Sequence, residues 1–328
     1  MLTIFLISAV KVLIVFGAML LVVAYMTLME RKVLGHMQVR FGPNRVGPFG
    51  LFQPVADGIK LFFKEDIIVP FANRIIYMLA PAVIVITALV SFAVIPFGDS
   101  VKILGHTIDL VVADVNVGIL YLFAVSSLGV YGVVMGGWAS NNKYSLLGSI
   151  RSSAQMISYE LSLGLSIVGV LMIVGSLSLT QIVEAQSSVW FVLYQPLGFI
   201  IFLISAVAEC SRTPFDLTEC ENELVAGYQT EYSSMKFGLY YLGEYAHILV
   251  VSSLAVSLFF GGWQGPLLPP ILWFLIKVFA FIFFFIWIRA TFPRFRYDQL
   301  MKFGWKVLFP LSLLNILLTA VGLILFSK

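Results

Sequence analysis

The sequence predicts an all-α fold, a polytopic membrane bundle of about eight transmembrane helices with one further amphipathic helix lying in the membrane surface. Three observations predict it. Hydrophobic residues make up 60% of the 328 and charged residues only 11%, with a mean hydropathy of +0.99, far outside the composition of soluble domains. Apolar runs of about 20 residues recur along the chain, the length a helix needs to cross a hydrocarbon core of about 30 Å. Transmembrane strands would be about 10 residues long with alternating polarity, so a β-barrel is excluded.

Eight spans are expected in order, over residues 4–29, 75–96, 115–138, 154–175, 189–208, 237–260, 267–288 and 305–326, all in one membrane domain. The first is too long for the core of a signal peptide and has no charged segment before it, so it reads as a retained span. An even number puts both ends of the chain on one side. The loops after the first, third, fifth and seventh spans hold seven, two, two and five of the 20 Lys and Arg residues; the opposite side has only Lys102 and Lys328, while Lys11 and Lys277 lie within spans. The positive-inside rule turns the four basic loops to the cytoplasm and both termini outward.

The first cytoplasmic loop runs from Glu30-Arg31-Lys32 through Gln38-Val39-Arg40-Phe41-Gly42-Pro43-Asn44-Arg45, where Gly and Pro impose an irregular path. From Leu51 the apolar positions 51, 52, 55, 59, 62 and 63 share one helical face, and Gln53, Asp57, Lys60 and Lys64 share the other. That is the pattern of a surface helix over 51–64, either a plain anchor or the roof of a cavity ringed by Asp57 and the basic cluster. The outward loop 98–114 suggests no chemistry, and its His106 reads as solvated. Asn141-Asn142-Lys143-Tyr144 is a turn-like link into the fourth span.

Two spans carry a carboxylate at depth. Glu160 lies nine residues past Arg151, and Glu244 is flanked by Tyr241 and His247 one turn away on either side. An ionised carboxylate in mid-membrane costs at least about 2.5–3.5 kcal/mol, so each must face a polar interior, pair with a base or stay protonated. Proton handling accommodates all three; a buried ion pair with Lys277 or His247 is the simpler account. The loop after the fifth span concentrates six of the 17 acidic residues, Glu209, Asp216, Glu219, Glu221, Glu223 and Glu231. Crowded carboxylates titrate as a coupled set, which suits a proton relay, although a charge run is also what a solvated loop looks like. The last basic loop sets Arg289, Arg294 and Arg296 among aromatic residues, as for lipid headgroups or for a planar polar ligand.

Cys210 and Cys220 are too few for an iron–sulfur cluster and match no zinc spacing. No metal site, Walker loop or dinucleotide fingerprint is present, and nothing points to nucleic acid. No catalytic residue or redox cofactor is therefore expected on this chain.

Three stretches together resemble the quinone-site membrane subunits of respiratory complex I, the proton-translocating NADH:quinone oxidoreductase. They are Glu30-Arg31-Lys32 with Arg40-Phe41-Gly42-Pro43-Asn44-Arg45; Arg212-Thr213-Pro214-Phe215-Asp216-Leu217-Thr218-Glu219 with Glu221-Asn222-Glu223; and Arg289-Ala290-Thr291 with Pro293-Arg294 and Arg296-Tyr297-Asp298-Gln299. The likeness spans essentially the whole chain, with Cys220 standing where a small or apolar residue is expected. It implies a multi-pass component of the bacterial inner membrane, enclosing the channel by which a lipid quinone such as ubiquinone reaches its reduction site. It implies quinone contacts at Arg31, Asp57, Arg212, Phe215, Arg289 and Arg294. It implies proton transfer through Glu160, Glu209, Asp216, Glu219, Glu221, Glu223, Glu231 and Glu244. Electrons would come from NADH through FMN and Fe–S clusters on hydrophilic-arm subunits, and small membrane-arm subunits would be the other partners. Two further readings stay open, an independent ion or proton transporter and the related component of a membrane-bound hydrogenase complex.

Overall fold

The computed structural model describes residues 2–103, 106–216 and 224–326. In chain order these form α1 (Leu2–Met37), α2 (Gln53–Phe63), α3 (Arg74–Ser91), a hairpin of β1 (Ser100–Ile103) and β2 (His106–Asp109), α4 (Gly118–Ala139) and α5 (Lys143–Val174). There follow α6 (Leu179–Ala185), α7 (Phe191–Tyr194), α8 (Pro196–Glu209), α9 (Ser234–Phe259), α10 (Pro270–Thr291), α11 (Tyr297–Phe303) and α12 (Phe309–Phe326). A π turn over Gly304–Leu308 carries α11 into α12.

Seven of the described helical stretches are long and apolar enough to cross a membrane. The expected fifth span, 189–208, is built differently. Pro196 lacks an amide hydrogen and clashes with a preceding helical turn, which favours starting a helix at this position over continuing one through it. The run therefore breaks into α7 and the 14-residue α8, which at 1.5 Å per residue is about 21 Å long, short of a bilayer core. Two helices are longer than their apolar runs. The 36 residues of α1 carry Glu30, Arg31 and Lys32 on its final turns rather than in a loop. The 32 residues of α5 begin at Lys143, where the Asn142 side chain accepts a bond from the Tyr144 amide at 2.9 Å. The outward loop contains a β-hairpin pairing Ser100 with Asp109 and Ile103 with His106, a small exception to the all-α expectation.

The bundle is built around α9. In its apolar window 83% of residues are buried, against 22–44% in the other long helices. Glycine permits the closest approaches, since a Cβ at Gly132 on α4 or Gly243 on α9 would collide with Ile84 of α3. The four basic loops meet at one end of the bundle. There the Asn73 amide bonds the Ala139 carbonyl, Ser145 bonds the Tyr228 carbonyl, and the Phe295 amide bonds the Pro214 carbonyl. At the other end the Ile119 amide bonds Leu177 and the Gln264 amide group bonds Val183.

Candidate functional site

At the basic end, three arginines and three carboxylates from five parts of the chain form an ionic network, largely buried at Glu30, Arg212, Asp216 and Glu244 and open to solvent at Arg289 and Arg294. Glu30 reaches inward from α1 because it lies one turn beyond Met26, a core residue on the same helical face. The Tyr245 hydroxyl donates to its Oε2 at 2.6 Å, Arg212 Nη1 lies 3.2 Å from its Oε1, and Arg289 pairs with that same oxygen. Arg212 also pairs through Nε with Glu244 Oε1 at 2.8 Å, and its guanidinium lies 4.5 Å from the centre of the Tyr245 ring. Burial works against the charge of Arg212, yet Glu244 and Glu30 outweigh it and hold the group protonated more firmly than an ordinary arginine.

Arg294 Nη2 donates to Asp216 Oδ2 at 3.2 Å. The other oxygen of Asp216 has no hydrogen-bond partner among the described residues. Burial raises the Asp216 pKa and prevails over Arg294 and Arg289, which act to lower it. Phe215 is buried, stacked on Phe295 at 5.7 Å and tilted against Tyr159 at 5.6 Å. Its carbonyl and that of Ala208 accept from Gln155 Nε2 at 3.0 and 2.8 Å, which ties this turn to α5. Beside Glu30, Arg212 and Arg289, a narrow crevice of about 10 Å³ is walled by Met26, Ile248, Ile282, Phe285 and Ile286.

Arg31 and Asp57 stand apart from this network, at the seam between α1 and α2. Arg31 Nη1 is 2.6 Å from Asp57 Oδ2, Lys60 Nζ is 3.1 Å from Oδ1, and Gln53 donates to Oδ1 at 2.9 Å. Burial acts to raise the Asp57 pKa, but the bonds from Lys60, Gln53 and Arg31 prevail and lower it. The apolar stripe of α2, including Val55, Ile59, Phe62 and Phe63, is left uncovered within the chain.

A second cluster lies one turn along α9 from Glu244. His247 Nε2 is 3.2 Å from Oε1 of Glu209, the last residue of α8, and Ser126 of α4 donates to the same oxygen at 3.2 Å. The charges acting on Glu160 of α5 are those of Glu209 and His247. Glu209, Glu244 and His247 line one cavity of about 50 Å³, together with Ser126, Ser152, Tyr228 and Tyr240. Cys210 is buried beside it, its thiol pKa pushed up by that burial and by Glu209, so the thiol is inert.

Glu231 sits farther out. Its carboxylate accepts from Asn142, which gives the turn-like Asn141-Asn142 link a partner, and its carbonyl accepts from the Tyr77 hydroxyl at 2.6 Å. Glu219, Glu221 and Glu223 lie outside the described residues.

Three side chains in these clusters are not among the site residues expected from the sequence. Glu30 reads there as part of a loop, although its spacing from Met26 continues the buried face of α1. Tyr245 and His247 both neighbour the expected Glu244. Lys277 is a correction of the opposite kind. It begins only seven residues into α10 from the far end, about 18 Å along the helix from Arg289, and among the described residues it pairs with no glutamate. Its ammonium donates to the carbonyls of Phe260, Gly262 and Gln264 at 2.7, 3.0 and 2.7 Å.

A family model described as NADH dehydrogenase matches residues 10–320. A Geobacter sulfurreducens protein named as an H subunit of NADH-quinone oxidoreductase is 59% identical over 309 residues, 94% of each chain. The H subunit of the Syntrophotalea carbinolica NADH-quinone oxidoreductase is 59% identical over 315 residues, 96% of each chain. An H subunit of the same enzyme from Syntrophobacter fumaroxidans is 58% identical over 324 residues, covering 99% of this chain and 98% of that one.

Proposed function

The chain belongs to the NADH dehydrogenase family, and from that premise we propose that it is a membrane subunit of an NADH–quinone oxidoreductase, forming the approach for quinone and coupling its reduction to proton translocation. Full-length similarity to proteins named as such subunits supports the assembly and the substrate. The observation that carries the coupling is the junction on α9, where Glu244 is paired with Arg212 and His247, one turn on, reaches Glu209.

Quinone reduction adds two electrons and takes up two protons, so negative charge developing near the site must be met by positive groups and proton donors. Arg212, Arg289 and Arg294 supply fixed positive charge, and apolar side chains of α1, α9 and α10 flank the first two. Arg31, Asp57 and Phe215 belong to the same route in this reading, the first two at its surface seam. Negative charge developing beside Arg212 or Arg289 alters the field on Glu244, which responds by taking up or releasing a proton. The response passes to Glu209 and Glu160, with Asp216, Glu219, Glu221, Glu223 and Glu231 as further members of the relay. Flavin and iron–sulfur chemistry belongs to hydrophilic-arm partners, and small membrane-arm subunits receive the signal. The basic end faces the cytoplasm of a bacterium, with both termini outside the inner membrane.

Glu244→Gln keeps shape and removes titration. In the assembled complex it is expected to retain NADH oxidation by an artificial acceptor at the hydrophilic arm while losing most proton pumping in sealed vesicles. Parental pumping in an assembled E244Q complex refutes the relay at this residue.

A further inference from the structure

Counted as charges, the two clusters on α9 differ. Glu30, Glu244 and Asp216 are matched by Arg212, Arg289 and Arg294, six groups that sum to zero. Glu160 and Glu209 are two carboxylates acting on one imidazole, His247. No arginine or lysine pairs with either carboxylate among the described residues. Two carboxylates and one imidazole that act on one another do not titrate independently, so the three side chains hold protons as a coupled set.

The geometry gives that shared proton a carrier. His247 Nε2 lies 3.2 Å from Glu209 Oε1 but makes no aligned hydrogen bond to it. The ring borders the same cavity as Glu209 and Glu244, so it has space on one side and a carboxylate on the other. Ser126 holds Oε1 of Glu209 in place from α4, which keeps the distance from the imidazole short. An imidazole is the side chain whose ordinary pKa already lets it accept and release a proton near neutral pH.

We propose that His247 is a proton-transfer residue that passes protons between Glu209 and Glu160. In one half-step the O–H bond of protonated Glu209 breaks and an N–H bond forms at Nε2, leaving a carboxylate beside an imidazolium. In the other half-step that N–H bond breaks and the proton forms an O–H bond on Glu160. No electrons move, and the net charge of the trio is unchanged throughout. The inference rests on the relay of the preceding section and adds to it the residue that joins its α8 and α5 members. Of the titratable groups around the ring, Glu209 is in contact with it, Cys210, Tyr228, Tyr240 and Glu244 line the cavity it borders, and Glu160 on α5 acts on it through its charge.

His247→Gln keeps bulk and a donor but does not titrate, and it is assayed beside Glu160→Gln in the complete membrane-bound complex. Expected for H247Q are parental NADH oxidation with an artificial acceptor and a fall of about tenfold or more in coupled quinone turnover and pumping, since a positioned proton carrier contributes about 10²–10⁴-fold where transfer limits the rate. Its pH–rate profile should also lose the limb that tracks imidazole titration. Parental turnover with an unchanged pH profile overturns the proposal. If E160Q falls and H247Q does not, the relay stands without His247; if neither falls, the relay itself is wrong. Should H247Q fail to assemble, Glu209→Asp decides, because it keeps the charge and withdraws the carboxylate from Nε2 by one methylene. A solvent deuterium isotope effect on pumping that grows in E209D supports the transfer, and an unchanged one refutes it.

Discussion

At the end of the bundle where the long loops gather, buried Arg212 is met by the carboxylates of Glu30 and Glu244, whereas at the opposite end Lys277 is met by three backbone carbonyls. Both are charged groups in a protein with very few of them. Carbonyls cannot titrate, and the indole rings of Trp190 and Trp273, 4.9 and 5.9 Å from the ammonium, cannot either. Lys277 therefore fastens the turn between α9 and α10 and does nothing else that the contacts support. Around Arg212 every charged partner is a group whose protonation can change. Depth in the membrane is thus a poor guide to function, and the chemistry of the partner is a better one.

The sharpest way to break this contrast is to neutralise both cations. Arg212→Met leaves Glu30 and Glu244 buried without their shared partner, a loss of about 3–5 kcal/mol for a broken buried pair. Little assembled complex is expected on native gels, and what assembles should not reduce quinone. Lys277→Met leaves carbonyls unsatisfied but no bare charge, a cost of about 1–3 kcal/mol. Its complex should melt at a lower temperature yet turn over quinone at the parental rate per assembled unit. Equal loss of turnover in the two variants would erase the distinction.

The same contrast explains what the sequence disclosed. The helical bundle was legible because a 60% hydrophobic chain has few other ways to satisfy its backbone in lipid. The helix expected over 51–64 is present as α2, over Gln53–Phe63, for a similar reason, since its apolar and polar positions separate cleanly around the helix. The break of the fifth span was signalled by Pro196 but hidden by hydropathy, which is blind to a missing amide hydrogen. Glu30 was hidden by its neighbours, because a charged tripeptide at the end of an apolar run reads as loop even where the helix continues. Partners could not be read at all. Glu244 chooses Arg212 over Lys277 because of where α10 starts, and nothing local to either residue encodes that.

The smallest expected effect belongs to the charged contact that lies between these extremes, the Arg31–Asp57 pair at the seam of α1 and α2. It is partly exposed, with side-chain accessibilities of 52% and 24%, and solvent screens it, so Asp57→Asn should cost only about 0–1 kcal/mol. Because the bonds from Lys60, Gln53 and Arg31 lower the Asp57 pKa below its ordinary 3.8 in spite of burial, the contribution is fully present above that ordinary value and is lost as pH falls through the folded one. Between pH 5 and 8 the parental and D57N complexes should therefore differ by a constant offset in melting temperature, and added salt should shrink that offset. A D57N offset as large as that of Lys277→Met would mean that α2 is held by this carboxylate as firmly as the far turn is held by its lysine, and the ranking of exposed pair below buried cage would have to be reversed.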